Sequence, residues 1–197
     1  MHKPNDSAPT LDLTFPHDWQ ATVLERRPLI SPARQFVYPR EVEEVERGAL
    51  ELIVRPAPDR GNAGEYLATF ALGFADPAVP TGLWSCPNPR WLCAVAGGYA
   101  YLVNASNPQQ WEMIVYRPVL AVTPLLPQQL LLFSGHQSLM AYGPNGKAWE
   151  TLRLSWEGIE ILTVREASLT GLGWDLITDR EFEFEVDLRT GEHVRIS

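Results

Sequence analysis

The sequence predicts an all-β protein whose antiparallel sheets are built from recurring hairpins, arranged as a sandwich or a propeller-like array. Gly97–Glu112 and Gly135–Glu150 share one pattern, in which a strand led by glycine passes through an asparagine-containing turn to a Trp-Glu pair. A third copy, Glu183–Val194, contains a Thr190-Gly191 turn but lacks the tryptophan. A repeat at roughly 40 residues is the spacing of stacked four-stranded sheets, so the repeat predicts architecture before it predicts chemistry.

Individual strands are predicted by apolar residues at alternate positions, beginning with the segments 50–55 and 66–74. A period of two with turn residues between the segments is typical of antiparallel sheets. Further strands are expected near 91–96, 99–104, 111–116, 119–123, 130–134, 137–142, 149–154, 159–165, 169–176 and 181–188. Asn145-Gly146 and Thr190-Gly191 fit hairpin turns because glycine adopts a positive φ without strain.

One short helix is expected over residues 40–47. Glutamates crowd its start, Arg47 ends it and Gly48 follows, which suits the helix dipole and a glycine stop. The residues before it are rich in proline, which removes backbone donors and disfavours regular ladders. We therefore expect an extended N-terminal arm over 1–37, docked through Trp19, and a single all-β domain over 38–197.

Composition limits the classes of partner and compartment. The formal net charge is −8, whereas a nucleic-acid-binding protein needs a basic patch to replace counterions. No apolar run approaches the ~20 residues that a membrane-spanning helix needs. The N-terminus has no apolar stretch of the kind that marks a secretory signal. We therefore expect a cytoplasmic protein that binds neither nucleic acid nor membrane.

The two cysteines, Cys86 and Cys93, are six residues apart in a proline-rich segment. Two thiols cannot complete a tetrahedral zinc site, and no histidine or further cysteine lies near them in the sequence. We expect both to be reduced and structural, and we expect neither a metal nor a cofactor.

The segment 180–188 has an unusual distribution of charge. Phe182, Phe184 and Val186 alternate with acidic residues, which occupy every odd position from Glu181 to Asp187. In a strand, one face is then apolar and the other is a row of four acids. Such a row binds a cation or a basic partner, or more commonly blunts a sheet edge or faces basic residues on a neighbouring strand.

Catalytic motifs are absent, and few residues are candidates for chemistry. His136 lies at the start of a repeated hairpin with serines close in sequence, but a Ser–His pair needs spatial contact and an orienting acid. Glu112 and Glu150 follow the repeated tryptophans, and a pair of carboxyls in a cleft is the machinery of glycosidases. Because repeated positions usually do equivalent packing work, we favour a structural role for both glutamates and expect Trp111 and Trp149 to pack in the core or between strands.

Two tryptophans outside the repeat are candidates for binding. Trp84 is predicted in the 82–85 loop and Trp156 in a turn between strands. A large aromatic side chain on a loop stacks on a sugar ring or anchors a partner protein, or else covers the end of a sheet. Together with His136, Trp84 and Trp156 form the predicted binding set.

The Trp-Glu pair that follows the Asn145-Gly146 turn resembles the blade hairpins of β-propellers, such as quinoprotein-like or WD repeats. The resemblance covers only about residues 97–197. Two or three units do not close a propeller, which needs at least four blades. The resemblance therefore implies that the strands fold back into a sandwich or that identical chains complete a larger assembly.

These observations favour a non-catalytic binding or assembly module, whose partner is a protein, a carbohydrate or a second copy of the chain. The alternative is a small all-β hydrolase that acts on a sugar or an ester through carboxylates or His136. The hydrolase requires a concave site that contains a carboxyl of raised pKa, whereas the binding module does not.

Overall fold

The computed structural model describes residues 8–39, 48–57, 64–74, 76, 78–115 and 117–196. Within them lie seventeen strands, here β1 to β17 in chain order, and no helix. The all-β prediction is therefore confirmed. The short helix predicted at 40–47 lies outside the described residues. The chain divides into two compact units, Met1–Pro118 and Val119–Ser197, which we call unit 1 and unit 2.

Unit 1 contains two sheets. Sheet I has the order β2-β4-β5-β3 and sheet II has the order β1-β6-β7-β8-β9. The strands are β1 Thr10–Asp12, β2 Trp19–Val23, β3 Arg34–Tyr38, β4 Ala49–Pro56, β5 Tyr66–Ala71, β6 Gly82–Ser85, β7 Trp91–Ala96, β8 Tyr99–Asn104 and β9 Trp111–Met113. Two pairs are parallel, β1 with β6 and β3 with β5, while the rest are antiparallel.

The two sheets of unit 1 share one core that is rich in aromatic rings. Phe70 lies at its centre, with the ring of Tyr38 stacked 5.0 Å away and that of Tyr101 5.4 Å away. Two aromatic side chains of sheet I donate hydrogen bonds to backbone carbonyls of sheet II and its β8–β9 loop. The Tyr38 hydroxyl donates to the Pro108 carbonyl at 2.7 Å, and the Trp19 indole N–H donates to the Trp91 carbonyl at 3.2 Å. These aromatic side chains therefore bury apolar surface and also donate hydrogen bonds to backbone carbonyl oxygens.

Unit 2 contains sheet III, with the order β10-β11-β12-β13, and sheet IV, with the order β14-β15-β16-β17. The strands are β10 Ala121–Leu125, β11 Leu130–Ser134, β12 Leu139–Gly143, β13 Gly146–Glu150, β14 Ile159–Val164, β15 Ser168–Asp175, β16 Arg180–Asp187 and β17 His193–Arg195. Each sheet is an antiparallel meander in which sequence neighbours pair.

The sequence repeat corresponds to one structural position. Its three copies contain the hairpins β8–β9, β12–β13 and β16–β17, which are the last hairpins of sheets II, III and IV. The turn glycines Gly146 and Gly191 have φ of 106° and 75°, so both positions favour glycine. The prediction of recurring hairpins is confirmed.

The core shared by sheets III and IV is mainly aliphatic. Leucines from both sheets surround Phe184 and Val186 of β16, which are fully buried. Trp149 of β13 reaches sheet IV, where its indole N–H donates to the Leu188 carbonyl at 2.7 Å. The side chain of Trp149 also lies against Gly191, leaving no room there for a Cβ. The second repeated tryptophan is therefore a packing residue, as the repeat predicts.

The N-terminal strands β1, β2 and β3 are integrated into the sheets of unit 1, and Trp19 is buried as predicted. The predicted division into an extended arm over 1–37 and a single all-β domain over 38–197 stays a prediction. No described helix is long and apolar enough to cross a membrane.

Candidate functional site

The acid row predicted in 180–188 lies on an interior strand. β16 pairs with β15 on one side and with β17 on the other, so it is not an edge of sheet IV. Directly across from Glu181, Glu183 and Glu185 on β15 stand Trp174, Leu172 and Thr170. On the other side Val194 of β17 stands across from Glu185. Both common explanations are therefore wrong here, because the row neither blunts an edge nor faces basic cross-strand neighbours.

Apolar side chains flank the row on the same face of sheet IV. Phe182, Phe184 and Val186 of β16 point into the core, so the alternating glutamates point to the opposite, outer face. Trp174 and Leu172 are half-buried on that face, and Val194 is 60% exposed. Glu160 of β14 stands across from Leu172 and adds a further exposed acid. We call this surface, formed by Glu160, Leu172, Trp174, Glu181, Glu183, Glu185 and Val194, the acid face.

The arginines of sheet IV lie on its other face. Arg195 is registered with the inward-pointing Phe184, and its guanidinium lies 4.1 Å from the centre of the Phe182 ring. The same guanidinium donates to Asp175 at 2.9 Å. Arg180 is registered with Asp175 at the same end. The strand alternation that exposes the acids therefore places the sheet's own positive charges away from them.

Asp187, the last acid of the row, has a different role from the three glutamates. Its carboxylate accepts the backbone N–H groups of Arg189 at 2.8 Å and of Thr190 at 3.0 Å. These bonds hold the pKa of Asp187 below its usual value, because they stabilise the charged form. Asp187 thus builds the β16–β17 turn, and the acid face depends on Glu181, Glu183 and Glu185.

Like charges stand close together along the acid face. Residues two apart in a strand are separated by about 6.8 Å. At that distance two unit charges in water repel by roughly 0.6 kcal/mol, before screening by salt. Positive charge placed over this face would offset the repulsion.

Trp156 lies beside the acid face. It is 40% exposed, and its backbone N–H donates to the Trp174 carbonyl at 2.9 Å, which places it next to the end of β15. The guanidinium of Arg153 lies 4.0 Å from the centre of its ring. The turn position predicted for Trp156 is confirmed, and its predicted role in binding stays a prediction.

Trp84 lies elsewhere. The loop position predicted for it is wrong, because 82–85 form β6, in which Trp84 is paired with Cys93 and is 3% exposed. A short apolar strand between glycine and proline looks like a loop in the sequence, since four residues are too few to show alternation. A side chain so deeply buried offers no face to a partner at the surface.

His136 is exposed in the turn between β11 and β12. The Ser134 hydroxyl nearby is buried and has no hydrogen-bond partner among the described residues, so it forms no pair with His136. Glu112 is exposed on β9, and Glu150 is exposed on β13 with Lys147 at 2.7 Å. Glu112 belongs to unit 1 and Glu150 to unit 2. The described contacts do not bring the hydrolase candidates together.

The cysteines are free and buried, as predicted. Burial raises the pKa of both thiols, and the neighbouring Cys86 raises that of Cys93 further. A raised pKa keeps a thiol protonated and unreactive. In the described part of the chain, no three His, Cys, Asp or Glu side chains gather into a group that could hold a metal ion.

Sequence reasoning missed a groove in unit 1. Residues 35–38 of β3 line one side of it, and Pro108, Gln109 and Trp111 line the other, around a volume of about 340 Å³. Two of its aromatic residues, Phe36 and Tyr38, lie in or directly after the segment that the prolines marked as an arm. The signal available in the sequence was the placement of two aromatic residues two positions apart, at 36 and 38.

A scan against protein-family models and a search of curated proteins both found no match for this chain.

Proposed function

We propose that this chain is a non-catalytic binding and assembly module that holds a basic amphipathic segment of a partner protein on its acid face. One observation carries the proposal: three outward glutamates stand on an interior strand, with uncharged rather than basic residues directly across from them. An arrangement that leaves charge and apolar area together at a surface is typical of an interface.

The dimensions of the acid face suit an α-helix in the partner. Glu181, Glu183 and Glu185 recur about every 6.8 Å along β16. Residues at i, i+4 and i+8 of a helix recur every ~6 Å, so three lysines or arginines on one side of a helix match the three glutamates. Strands β15 and β17 lie about 4.8 Å to either side. A helix ~10 Å wide therefore covers all three strands.

Apolar residues beside the basic stripe of that helix would contact Leu172 and Trp174 on one flank and Val194 on the other. The charges guide the approach and fix the register, whereas the buried apolar area keeps the complex together. Trp156, at the edge of the same surface, extends the apolar contact next to Trp174.

The test uses a synthetic amphipathic helix with lysine at three successive i, i+4 positions and leucine on both sides of them. We expect it to bind the native chain, and we expect the affinity to fall as salt is raised to about 1 M, where the Debye length is ~3 Å. The variant Glu181→Gln/Glu183→Gln/Glu185→Gln should bind at least tenfold more weakly.

The matched control is Glu25→Gln/Glu112→Gln/Glu166→Gln, which removes the same charge from exposed positions outside the acid face. The control should bind as the native chain does. If both variants lost the same affinity for the helix, the interaction would depend only on net charge, and the proposal would be overturned. A probe in which glutamate replaces the three lysines should not bind at all.

The alternative hydrolase function stays a prediction, and no described contact supports it. Hydrogen bonds lower the pKa of Asp175 and of Asp187 below the usual value. A general acid in a glycosidase requires the opposite shift.

A further inference from the structure

We infer that the groove between β3 and the β8–β9 loop in unit 1 is a binding site for a neutral oligosaccharide. This inference is independent of the acid face, which belongs to unit 2. The groove is built from four consecutive residues, Gln35 to Tyr38, and from Pro108, Gln109 and Trp111 across from them. Among the described residues that line it, none carries a charge, and the cation beside it is Arg34, whose guanidinium lies 5.6 Å from the centre of the Phe36 ring. This lining favours a neutral ligand.

The apolar wall of the groove is held rigidly. Tyr38 is buried beneath it, and the Trp111 ring packs edge-on against the Tyr38 ring, with centroids 5.4 Å apart. The Tyr38 hydroxyl donates to the Pro108 carbonyl at 2.7 Å, which ties the β8–β9 loop to β3. Phe36 is fixed in the same way by an edge-on contact with Tyr66 at 5.3 Å. A preorganised aromatic wall binds without a further ordering cost.

The rim of the groove supplies side-chain amides. Gln35 and Gln109 are both exposed there. The Gln35 amide donates to the Pro32 carbonyl at 3.4 Å, and Gln109 makes no side-chain hydrogen bond to the described residues. The loop itself is stiffened by Asn104, whose side-chain oxygen accepts two backbone N–H groups and whose amide donates to Gln110 at 2.9 Å. An amide group both donates and accepts, as a sugar hydroxyl does, so the two match in pairs.

The backbone of β3 adds further polar groups. β3 is the last strand of sheet I, and β5 is its only partner among the described strands. An edge strand has N–H and C=O groups that point away from its neighbour. The groove therefore presents apolar rings on its wall and neutral donors and acceptors around them. A pyranose has the complementary form, with an apolar C–H face and a rim of hydroxyls.

The size of the groove agrees with this class of ligand. Its volume of about 340 Å³ lies at the lower end of the ~300–1,000 Å³ found for small-molecule sites. The groove is open at the surface, so a longer oligosaccharide can continue beyond the units that it holds.

The experiment is isothermal titration calorimetry of the full chain with cellohexaose, maltohexaose and chitohexaose. We expect at least one of them to bind with a Kd of about 1 mM or tighter. Trp111→Ala should weaken that binding at least tenfold. Because Trp111 also packs on Tyr38, the second variant is Gln35→Leu/Gln109→Leu, whose exposed positions leave the unfolding midpoint unchanged while the affinity falls at least tenfold.

Ile177→Ala is the control, since it removes an exposed apolar side chain from unit 2 and should leave sugar affinity unchanged. The inference is overturned if none of the three sugars binds at about 10 mM, or if both groove variants bind as the native chain does. Tighter binding of an uncharged threonine–valine peptide than of any sugar would also overturn it, because the β3 edge would then be a strand-addition site.

Discussion

Unit 1 and unit 2 both place two sheets around one core, but they assemble the sheets in different ways. In unit 2 every pair joins neighbours in sequence, so each sheet is a plain meander. In unit 1 the strands β1 and β3 enter as parallel edge strands, and each is paired with a strand far from it in sequence. The difference shows how an N-terminal segment becomes part of a sheet without a local partner.

The cores differ in chemistry as well as in topology. Tyr38, Phe70 and Tyr101 form the centre of unit 1, whereas in unit 2 leucines surround Phe184 and Val186. The surfaces differ too, because unit 1 has a neutral aromatic groove and unit 2 has the acid face. The same two-sheet arrangement therefore supports two kinds of surface.

The largest effect on stability should come from removing the central ring of either core. Phe70→Ala and Phe184→Ala should each lower the free energy of unfolding by about 3–5 kcal/mol, since both side chains are fully buried. Urea denaturation followed by circular dichroism measures this. Leu29→Ala, at a fully exposed position, should stay within ~0.5 kcal/mol of the native chain. A cost below about 1 kcal/mol for either phenylalanine would contradict that core.

The next largest effect on stability should come from adding a Cβ at a glycine of unit 2 where neighbouring atoms lie very close. A Cβ at Gly171 would lie 2.5 Å from the Glu160 carbonyl oxygen and 2.5 Å from the Phe184 ring. Gly171→Ala should therefore cost roughly 1–3 kcal/mol through overpacking. Gly64→Ala in unit 1 meets no atom within 4 Å and should be neutral or slightly stabilising. Equal thermal shifts for the two variants would show that Gly171 is not closely packed.

A third prediction compares the hydrogen bonds that join the sheets within each unit. Tyr38→Phe removes the bond to the Pro108 carbonyl, and Trp149→Phe removes the bond to the Leu188 carbonyl. Each change leaves a backbone oxygen without its donor and should cost about 1–3 kcal/mol. Chemical denaturation of the two variants tests this. Stability equal to that of the native chain in both would mean that water replaces the lost donors without cost.

Much of the fold could be predicted from the sequence where pairing is local. The strands of sheets III and IV show alternation, and the β12–β13 and β16–β17 hairpins have turn glycines, so these strands were predictable within a few residues. β3 was missed because parallel pairing with a distant strand leaves no turn signal. β6 pairs antiparallel with the next strand, β7, and was missed because four residues are too few to show alternation. The proline-rich context of β3 also favoured an extended arm.

Only part of the candidate site could be predicted from the sequence. Alternation alone separated Glu181, Glu183 and Glu185 from the core residues of β16. Whether the row lies at an edge, and what stands across from it, depends on the pairing of β15 and β17. The segment 180–188 by itself does not reveal that pairing. The sequence therefore favoured an edge position or basic cross-strand neighbours, and both explanations were wrong.

A smaller effect concerns the acid face in the absence of a partner. Glu181→Gln/Glu183→Gln/Glu185→Gln should change the free energy of unfolding by no more than ~0.5 kcal/mol at physiological salt, because Glu181 and Glu183 are exposed, Glu185 is half-buried, and salt screens charges at the surface. At low salt the variant should be slightly the more stable, since neighbouring repulsion is removed. Thermal unfolding at two salt concentrations measures this, and a large loss of stability would identify the row as structural.

The smallest effect is the pH dependence contributed by Asp175. The hydrogen bond from Arg195, followed by the backbone N–H groups of Thr178 and Ile177, holds the pKa of Asp175 below its usual value in the folded state. The resulting stabilisation is fully present above the unfolded pKa and is lost as the pH falls through the folded pKa. Asp175→Asn should therefore remove part of the acid-dependent loss of stability.

Arg195→Gln should have a similar consequence, and the double variant should add little to either single change. Thermal midpoints measured from neutral pH down to strongly acidic pH test this. Fully additive effects would show that the two side chains do not act as a pair.

The acid face as a binding surface is best tested by an amide chemical-shift titration of the full chain with the lysine–leucine helix. We predict that the largest shifts fall on β15, β16 and β17, around Leu172, Glu183 and Val194, and that they disappear in the triple glutamine variant. Largest shifts elsewhere, or the same shifts in that variant, would contradict the assignment of the acid face as the binding surface.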